Sequence, residues 1–411
     1  MKRRNLLKSG AMLGGAVGLG NLQQGQAAGT MQCVTERSHN HKFIGKPDSR
    51  SQLNTPALIL DLDLAENNIG VMAAHCKKAG LKLRPHCKTH KCVKLAELQV
   101  KHGAIGVCAA TIGEAEAMVR GVIDGILITR PVVTPEQVER LIALKEISAD
   151  VMIVVDNMEN VMALETANGG KESPLRLVVD MDINDHRTGC TDIEHAVKLA
   201  RYINESDSLT FSGVQGYAGR AQHIVAMEER RRAVVMSNKI ISELVAELTT
   251  AGLKPGIVSG GGTGTFDMLN IDNIFTELQA GSYVVMDTQY NEVWTEDNKR
   301  PPFETALFVQ TVVISNNHPG FVTTDAGQKR FAKDAGQPVI AKGAPDGSTY
   351  MTAGDEHGFV MFEGQSGHAA LGQRIECLTP HCDPTINLFD EYHCVRGNTL
   401  VDIWSIDARG A

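Results

Sequence analysis

Short apolar runs alternate with amphipathic stretches along most of the chain. Between residues 56 and 290 the apolar runs have the length of strands, and the stretches between them carry apolar residues at helical spacing. The predicted strands are Leu81–Pro85, Ala104–Ala109, Gly125–Thr129, Val151–Asp156, Leu175–Asp180, Ser212–Tyr217, Gly256–Ser259 and Glu277–Met286. The clearest predicted helices are Ile112–Arg120, Pro135–Leu144, Asp192–Ile203 and Val225–Ala251. Such alternation indicates an α/β fold with a parallel sheet.

The number of strand–helix units predicts how that sheet closes. Eight units within residues 56–290 favour a (β/α)8 barrel. An open doubly wound sheet is the alternative, but no Gly-x-Gly-x-x-Gly sequence follows the first strand. We therefore expect a barrel.

The pattern changes after residue 290. Short strands joined by Gly, Pro and Asp turns replace the helical spacing, which predicts an all-β domain over residues 291–411. Its predicted strands are Thr305–Ser315, Gly320–Thr324, Pro338–Ile340, Gly358–Phe362, Arg374–Leu378 and Thr399–Ser405. The segment 29–55, which precedes the barrel, is a candidate to pair with this domain.

Residues 1–28 read as an export signal. Lys2, Arg3 and Arg4 form a basic start, a weakly apolar and Gly-rich stretch follows, and Ala27 and Ala28 are small residues at a plausible cleavage point. Adjacent arginines before an apolar stretch resemble a twin-arginine signal, so the expected location is the periplasm. The alternative is a basic amphipathic tail on a cytoplasmic protein.

Composition narrows the class of protein. With 40 Lys and Arg against 48 Asp and Glu, the formal net charge is −8, which argues against nucleic-acid binding. No apolar run is long enough for a spanning helix. The nine cysteines include no Cys-x-x-Cys pair, so neither a disulfide framework nor a four-thiolate zinc site is supported.

Candidate chemistry lies where the barrel strands end, because barrels of this type place function at the carboxyl ends of their strands. The first strand leads into Arg-Pro-His-Cys-Lys-Thr-His-Lys over residues 84–91. Lys88 in this run can form a Schiff base if burial or neighbouring positive charge lowers its pKa. A solvated run of charge is the alternative reading.

A glycine-rich turn follows the seventh strand. Gly261, Gly262 and Thr263 belong to it, and Ser282 and Tyr283 lie on the eighth strand. Consecutive backbone N–H groups at such a turn can surround a phosphate, and this pair of strands often does so in barrels. Lysine and phosphate loop together suggest pyridoxal 5′-phosphate. A flexible turn is the alternative.

Three further groups complete the candidate site. Arg187 follows the fifth strand and Tyr217 ends the sixth, where each can touch the cofactor or the substrate. In the late sequence Pro-His-Cys-Asp-Pro, His381 and Asp383 point the same way if the segment is extended, and can then hold one divalent ion. Cys382 would point away, but would become a ligand if the backbone bulged.

These motifs together resemble the family of D-threonine aldolases and eukaryotic-type D-serine dehydratases. The similarity covers residues 50–405 and implies an alanine-racemase-like barrel with a β domain. It implies that Lys88 carries pyridoxal phosphate and that His381 and Asp383 hold a metal. It also implies that the phosphate of the cofactor is bound by Gly261, Gly262, Thr263, Ser282 and Tyr283. Arg187 and Tyr217 match positions near the cofactor. The resemblance also implies a homodimer.

The residue two after His381 separates the two branches. In the dehydratase branch the metal motif resembles His-x-Cys, and its thiolate favours zinc. Here the second residue is Asp383, a harder ligand that suits Mn²⁺ or Mg²⁺ better, with Zn²⁺ still possible. We therefore expect cleavage of D-threonine and related D-3-hydroxy-amino acids to glycine and an aldehyde. The alternatives are a dehydratase acting on D-serine or D-threo-3-hydroxyaspartate, a racemase-like enzyme without a metal, and a non-enzymatic pyridoxal-phosphate binder.

Overall fold

The computed structural model describes residues 38–295, 297–363 and 368–411. The predicted export signal lies outside these residues and stays a prediction. Asn40–Ala411 form one compact unit, which contains the barrel, the β domain and the candidate site.

The barrel is confirmed. The first strand of the chain, β1 (Ala57–Asp61), belongs to the C-terminal sheet, and the next eight form one parallel sheet in the order β2-β9-β8-β7-β6-β5-β4-β3. A parallel bridge between His86 and Cys108 joins the first and second strands of this sheet. The eight are β2 (Lys82–Leu83), β3 (Cys108–Ala109), β4 (Leu127–Ile128), β5 (Met152–Val155), β6 (Leu175–Asp180), β7 (Leu209–Gly216), β8 (Ile257–Gly260) and β9 (Glu277–Leu278).

Seven helices pack around this sheet in the described part of the chain. Their ends follow side-chain chemistry: Thr111 and Asp192, for example, accept backbone N–H bonds at helix starts and satisfy groups that the helix leaves unpaired. None of the described helices has the length and apolar character needed to cross a membrane. They are α1 (Leu62–Ala79), α2 (Val93–Lys101), α3 (Ile112–Arg120), α4 (Pro135–Ile147), α5 (Met158–Asn168), α6 (Ile193–Glu205) and α7 (Met227–Thr250).

The eighth barrel strand is shorter than its apolar run suggested. Glu277–Met286 was expected to be one strand, but β9 ends at Leu278 and Ser282–Val284 form a 3-10 turn. The apolar side chains Val284 and Val285 are buried all the same, so hydrophobicity alone does not separate the two conformations. The turn places Ser282 beyond the carboxyl end of the sheet.

The second domain is a nine-stranded, mostly antiparallel sheet in the described residues, with the main order β13-β14-β11-β10-β1-β16-β17. Strand β15 pairs with β10, and β12 pairs with β15. Three of its strands, β1, β13 and β16, were not predicted as strands. Its elements are β10 (Leu307–Ser315), β11 (Phe321–Thr324), β12 (Val339–Lys342), β13 (Thr349–Thr352), β14 (Gly358–Met361), β15 (Arg374–Leu378), α8 (Cys382–Ile386), β16 (Glu391–Arg396) and β17 (Thr399–Ser405).

In its described part, residues 38–55, the segment before the barrel packs on the β domain without forming a strand. It forms two short 3-10 helices, His39–Phe43 and Ser49–Gln52. The Arg50 guanidinium donates to both carboxylate oxygens of Glu376, at 2.9 and 2.8 Å. The strand that joins the β sheet is β1, which the sequence pattern had placed in the barrel; it runs antiparallel to β10 and parallel to β16.

Candidate active site

A cavity of about 350 Å³ opens at the carboxyl ends of the barrel strands. Pockets of this size commonly hold small ligands. Three cationic side chains, Lys88, Arg130 and Arg187, lie in its wall, and no acidic side chain does among the described residues. The cavity therefore favours anions.

Lys88 joins this cavity to the β domain. Its ammonium donates to Asp383 Oδ2, and Ser282 Oγ donates to the other carboxylate oxygen at 3.2 Å. The Lys88 side chain is 42% exposed and that of Asp383 14%. The predicted cofactor lysine and one predicted metal ligand are thus direct partners, although 295 residues separate them.

The pKa of Lys88 does not meet the condition that the sequence analysis set for a Schiff-base lysine. The Asp383 carboxylate raises the pKa of Lys88 and outweighs its burial, whereas a lowered pKa was expected for a nucleophilic lysine. Burial works against the charge of Asp383, but the Lys88 ammonium holds the pKa of that carboxyl well below its usual range. Lys88 is therefore a stable ammonium for as long as Asp383 faces it.

Two neighbours of Lys88 in the sequence have different surroundings. His86 lies in the cavity wall, with its Nε2 3.0 Å from Thr129 Oγ1. Burial, followed by the charge of Lys88, lowers the pKa of His86 well below its ordinary value. His90 is fully buried, and burial lowers its pKa to about 4. Both imidazoles are therefore neutral at neutral pH.

Arg84 is the motif's structural member. Its guanidinium donates to both oxygens of Glu277, at 2.9 and 2.8 Å, and to the carbonyl of Gly125. Gly125 has a φ of +70°, and a Cβ there would lie 3.1 Å from the guanidinium and 2.2 Å from the Ile105 carbonyl. Glycine thus permits the close approach on which this buried pair depends.

The predicted phosphate loop contributes part of the cavity wall. Gly262 and Thr263 lie in the wall beside Gly281 and Ser282. A Cβ on Gly281 would lie 2.7 Å from Thr89 Oγ1 and 2.9 Å from the His86 carbonyl, so this position is closed to larger residues. Two glycine-containing turns from neighbouring strands therefore face one space, as a phosphate cradle requires.

The other two predicted phosphate residues do not line the cavity. Gly261 makes the turn, with a φ of +70°, and a Cβ there would meet Leu269 at 2.7 Å. The Tyr283 side chain is fully buried, and its hydroxyl accepts a hydrogen bond of 3.0 Å from Gln99. Its backbone N–H donates to Thr263 Oγ1 at 3.0 Å, so both residues support the loop from behind.

Arg187 and Tyr217 lie together in the cavity wall. The guanidinium carbon is 5.3 Å from the centroid of the tyrosine ring, in a cation–π contact. Asp185 is 3.6 Å from Arg187 Nε. The arginine is largely exposed, which leaves it able to turn towards a bound anion.

The late His-x-Asp segment is not extended. The expectation that His381 and Asp383 point the same way because they are two residues apart in an extended chain was therefore wrong. Strand β15 ends at Leu378, His381 precedes a helix, and α8 begins at Cys382. Helical geometry brings Asp383 over Lys88, and Cys382 stays buried with its thiol donating to Asp383 Oδ1 at 3.4 Å. Burial raises the pKa of Cys382 well above its ordinary value, so its metal-binding thiolate form is disfavoured.

His381 has partners of its own. Its Nδ1 lies 2.5 Å from Asp334 Oδ2, and its ring centroid is 6.4 Å from that of His223. Burial, followed by the charge of His381, lowers the pKa of His223. His357 lies exposed in the turn between β13 and β14, away from these groups in the sequence.

Sequence reasoning missed Arg130 and Asp334. Arg130 comes two residues after β4, so the rule that function follows a strand's carboxyl end was sufficient to find it. Asp334 lies in an irregular loop between β11 and β12, 47 residues before His381. No local pattern signals that contact.

The residues present fit the two groups implied by the sequence. For pyridoxal phosphate, the cavity offers one lysine, a cradle of two glycine-containing turns and two arginines. For the metal, no group of three His, Cys, Asp or Glu side chains suited to an ion is found in the described residues, so the predicted pair His381 and Asp383 would be its two protein ligands. A hard divalent ion accepts such a pair, with water and substrate oxygens completing its shell.

Comparisons with known proteins agree with this architecture. The family described as "Alanine racemase, N-terminal domain" matches residues 60–289, and "Putative serine dehydratase domain" matches residues 306–395. The chain belongs to the alanine racemase N-terminal domain family.

Three known proteins are similar to this chain over most of their length. A 3-hydroxy-D-aspartate aldolase of Paracoccus denitrificans (strain Pd 1222) is 36% identical over 364 residues, which cover 88% of this chain and 93% of the relative. A D-threonine aldolase of Arthrobacter sp. is 34% identical, covering 88% and 94%. The crystal structure of D-threonine aldolase from Filomicrobium marinum matches with a TM-score of 0.83 and 35% identity, covering 88% and 96%. The chain is accordingly a carbon–carbon lyase of the retro-aldol type.

Proposed function

We propose that this lyase depends on pyridoxal phosphate and a divalent metal and cleaves D-3-hydroxy-α-amino acids to glycine and an aldehyde. The observation that carries the proposal is the contact between Lys88 and Asp383 at the mouth of a cationic cavity. One contact brings together the residue suited to an aldehyde cofactor and the residue suited to a metal. Retro-aldol cleavage assisted by both requires this closeness.

The chain's own residues divide into two sets. Lys88 would hold the aldehyde carbon of pyridoxal phosphate, while Gly262, Thr263 and Ser282 would receive its phosphate. When bound, the cofactor supplies an electron sink for the bond that breaks. Arg187, stacked on Tyr217, would neutralise negative charge on the cofactor or the substrate.

His381 and Asp383 would hold the metal, which supplies a Lewis acid for the substrate's β-hydroxyl. Asp383 favours Mn²⁺ or Mg²⁺ over Zn²⁺, since a carboxylate is a harder ligand than a thiolate. If Asp383 held the ion, its charge would no longer keep Lys88 a stable ammonium, because Asp383 is what raises the pKa of Lys88. Loading of the metal and the reactivity of Lys88 would therefore be coupled through one carboxylate.

The hydroxyl proton needs an acceptor within the site. Neutral His223, next to His381, can accept it, and the Lys88 amine can do so once Asp383 no longer holds Lys88 as an ammonium. As the hydroxyl proton leaves, the Cα–Cβ bond breaks. Its electron pair goes to Cα, which takes up a proton to give glycine, and the former β-carbon leaves as the aldehyde.

Product analysis tests the proposal. Purified, cofactor-loaded enzyme is incubated with D-threonine or D-3-hydroxyaspartate, with Mn²⁺ or with a chelator. Glycine with acetaldehyde or glyoxylate, lost on chelation, is the expected result. Cleavage that persists after complete removal of metal would refute the metal dependence.

A dehydratase is the second candidate, favoured by the match of residues 306–395 to a serine dehydratase domain and by the Cys382 thiol beside Asp383. It predicts ammonia and a keto acid in the same assay.

A further inference from the structure

The contact between Asp334 and His381 concerns the proposed metal site and rests on the proposed function. His381 has two ring nitrogens, and Nδ1 lies 2.5 Å from a carboxylate oxygen of Asp334. If this nitrogen carries the proton and donates it, the lone pair is on Nε2. We propose that Asp334 is a positioning residue, which fixes the tautomer and ring orientation of His381 so that Nε2 can bind the divalent ion.

The chemistry of metal-binding histidines supports this role. Such a histidine usually donates its second ring N–H to a carboxylate, carbonyl or water. The partner orients the ring and raises the basicity of the nitrogen that binds the metal. A carboxylate is the strongest of these partners, since its hydrogen bond is charge-assisted.

The loop that carries Asp334 is anchored to the helix that carries Asp383. The backbone N–H of Ala332 donates to Thr385 Oγ1 at 3.1 Å, and Thr385 lies in α8. Phe331 is buried, with its ring centroid 5.4 Å from that of Tyr350. Asp334 is thus held three residues beyond a core side chain and two beyond a hydrogen bond to the metal-site helix.

The ordinary alternative is a surface ion pair without function. The Asp334 side chain is 54% exposed, and exposed pairs contribute little to stability. The two explanations differ in one measurable quantity. A surface pair has no effect on metal binding, whereas loss of a positioning carboxylate typically weakens metal affinity by about 10–100-fold.

Metal titration of the pyridoxal-phosphate-loaded enzyme separates them. Wild type, D334A, D334N, H381A and the control D346A are stripped of metal and titrated with Mn²⁺, with the free ion followed by its electron paramagnetic resonance signal. Asp346 is a suitable control because it is an exposed carboxylate in a turn of the same domain. Cofactor absorbance and thermal unfolding show that each variant is folded and loaded.

We expect D334A to bind Mn²⁺ about 10–100-fold more weakly than wild type, H381A to bind more weakly still, and D346A to be unchanged. D334N keeps an oxygen acceptor without the charge, and should lie between D334A and wild type. In D334A the Mn²⁺ concentration for half-maximal activity should rise in parallel, while kcat at saturating Mn²⁺ recovers to within a few-fold of wild type.

Two results would overturn this inference and leave the proposed function untouched. Wild-type affinity in D334A would make the contact a surface pair, and a loss equal to that of H381A would make Asp334 a ligand itself. Wild-type affinity in H381A would refute the inference together with the metal site of the proposed function.

Discussion

Two of the three ion pairs that residues 84–91 form with other described residues have opposite properties. Arg84 and Glu277 are only 5% and 4% exposed, and the guanidinium also donates to backbone carbonyls. Lys88 and Asp383 are 42% and 14% exposed and join the barrel to the β domain. Arg84 has a rigid fork that uses its donors within the barrel, whereas the Lys88 ammonium is a point charge on a flexible stem.

The difference shows how burial separates a structural pair from an exchangeable one. A buried, fully hydrogen-bonded pair cannot release one partner without leaving an uncompensated charge. A partly exposed pair at a cavity can exchange its partner for a ligand, since water and the incoming group compensate each charge. Arg84 therefore stabilises the barrel, and Lys88 remains available for chemistry.

The substitution Glu277→Gln should produce the largest effect, because it leaves the Arg84 guanidinium buried without its counter-charge. We expect a loss of about 3–5 kcal/mol in the free energy of unfolding, measured by urea denaturation followed by far-ultraviolet circular dichroism. The matched control is Glu116→Gln, which breaks an equally bidentate but half-exposed pair with Arg140 and should cost at most about 1 kcal/mol. Equal losses in the two variants would contradict the structural assignment of Arg84.

Asp383→Asn should have the opposite profile. The amide keeps the shape of the side chain but is a poor metal ligand and no longer neutralises Lys88. We expect kcat/KM for retro-aldol cleavage to fall about 10²–10³-fold, corresponding to about 3–4 kcal/mol, since metal assistance contributes several kcal/mol. The free energy of unfolding should change by less than about 1 kcal/mol, because the pair is partly exposed. A large loss of stability with activity retained would place this pair in the structural class.

His90 sharpens the comparison through pH. Its pKa is about 4 in the folded protein and about 6.5 when unfolded. Between these values the unfolded chain binds a proton that the folded chain does not, so stability is lost as the pH falls from 6.5 to 4. In total this amounts to about 3 kcal/mol.

His90→Asn keeps an acceptor for the Cys92 backbone N–H, which His90 Nδ1 accepts at 3.1 Å. Urea denaturation at pH 7 and pH 4 should show that the wild type loses about 3 kcal/mol more than the variant over this range. Other buried histidines contribute to both proteins and cancel. Parallel losses in the two proteins would show that His90 is not a buried neutral group.

The parts of the site that the sequence predicted share a local origin. Lys88 and Thr263 each follow an apolar strand, and strand ends meet at one face of a barrel, so their approximate positions follow from the strand pattern. The barrel itself was predictable for the same reason. Even Arg130 was within reach of this rule, since it follows β4.

The remaining features depend on contacts between distant segments. Asp383 reaches Lys88 through a five-residue helix, which is too short for hydrophobic periodicity to reveal. Asp334 reaches His381 from an irregular loop, and Arg84 finds Glu277 across 193 positions of sequence. Strand β1 shows the same limit: its five residues are all buried, but nothing in their pattern tells which of the two sheets they join.

Arg130 differs from both Arg84 and Lys88 in its partners. Arg84 has a buried carboxylate partner and Lys88 an exchangeable one, whereas Arg130 makes no salt bridge to any described residue while lining the cavity. Lys88 and Arg187 already have carboxylate neighbours. Of the three cations in the cavity wall, Arg130 is therefore the most available to a substrate carboxylate. Removing it should therefore weaken substrate binding more than it slows the chemical step.

For Arg130→Gln we expect KM for a D-3-hydroxy-amino acid to rise about 10-fold, equivalent to about 1.4 kcal/mol, which is close to the lower end for a hydrogen bond to a charged group. kcat should change only a few-fold, because the lost contact acts on bound substrate and transition state alike. Arg130→Lys keeps the charge and should recover part of the loss, and Arg120→Gln on the exposed end of α3 should leave both constants unchanged. An unchanged KM in Arg130→Gln would mean that the cationic wall does not act on the substrate at this point, and that Arg187 alone receives its carboxylate.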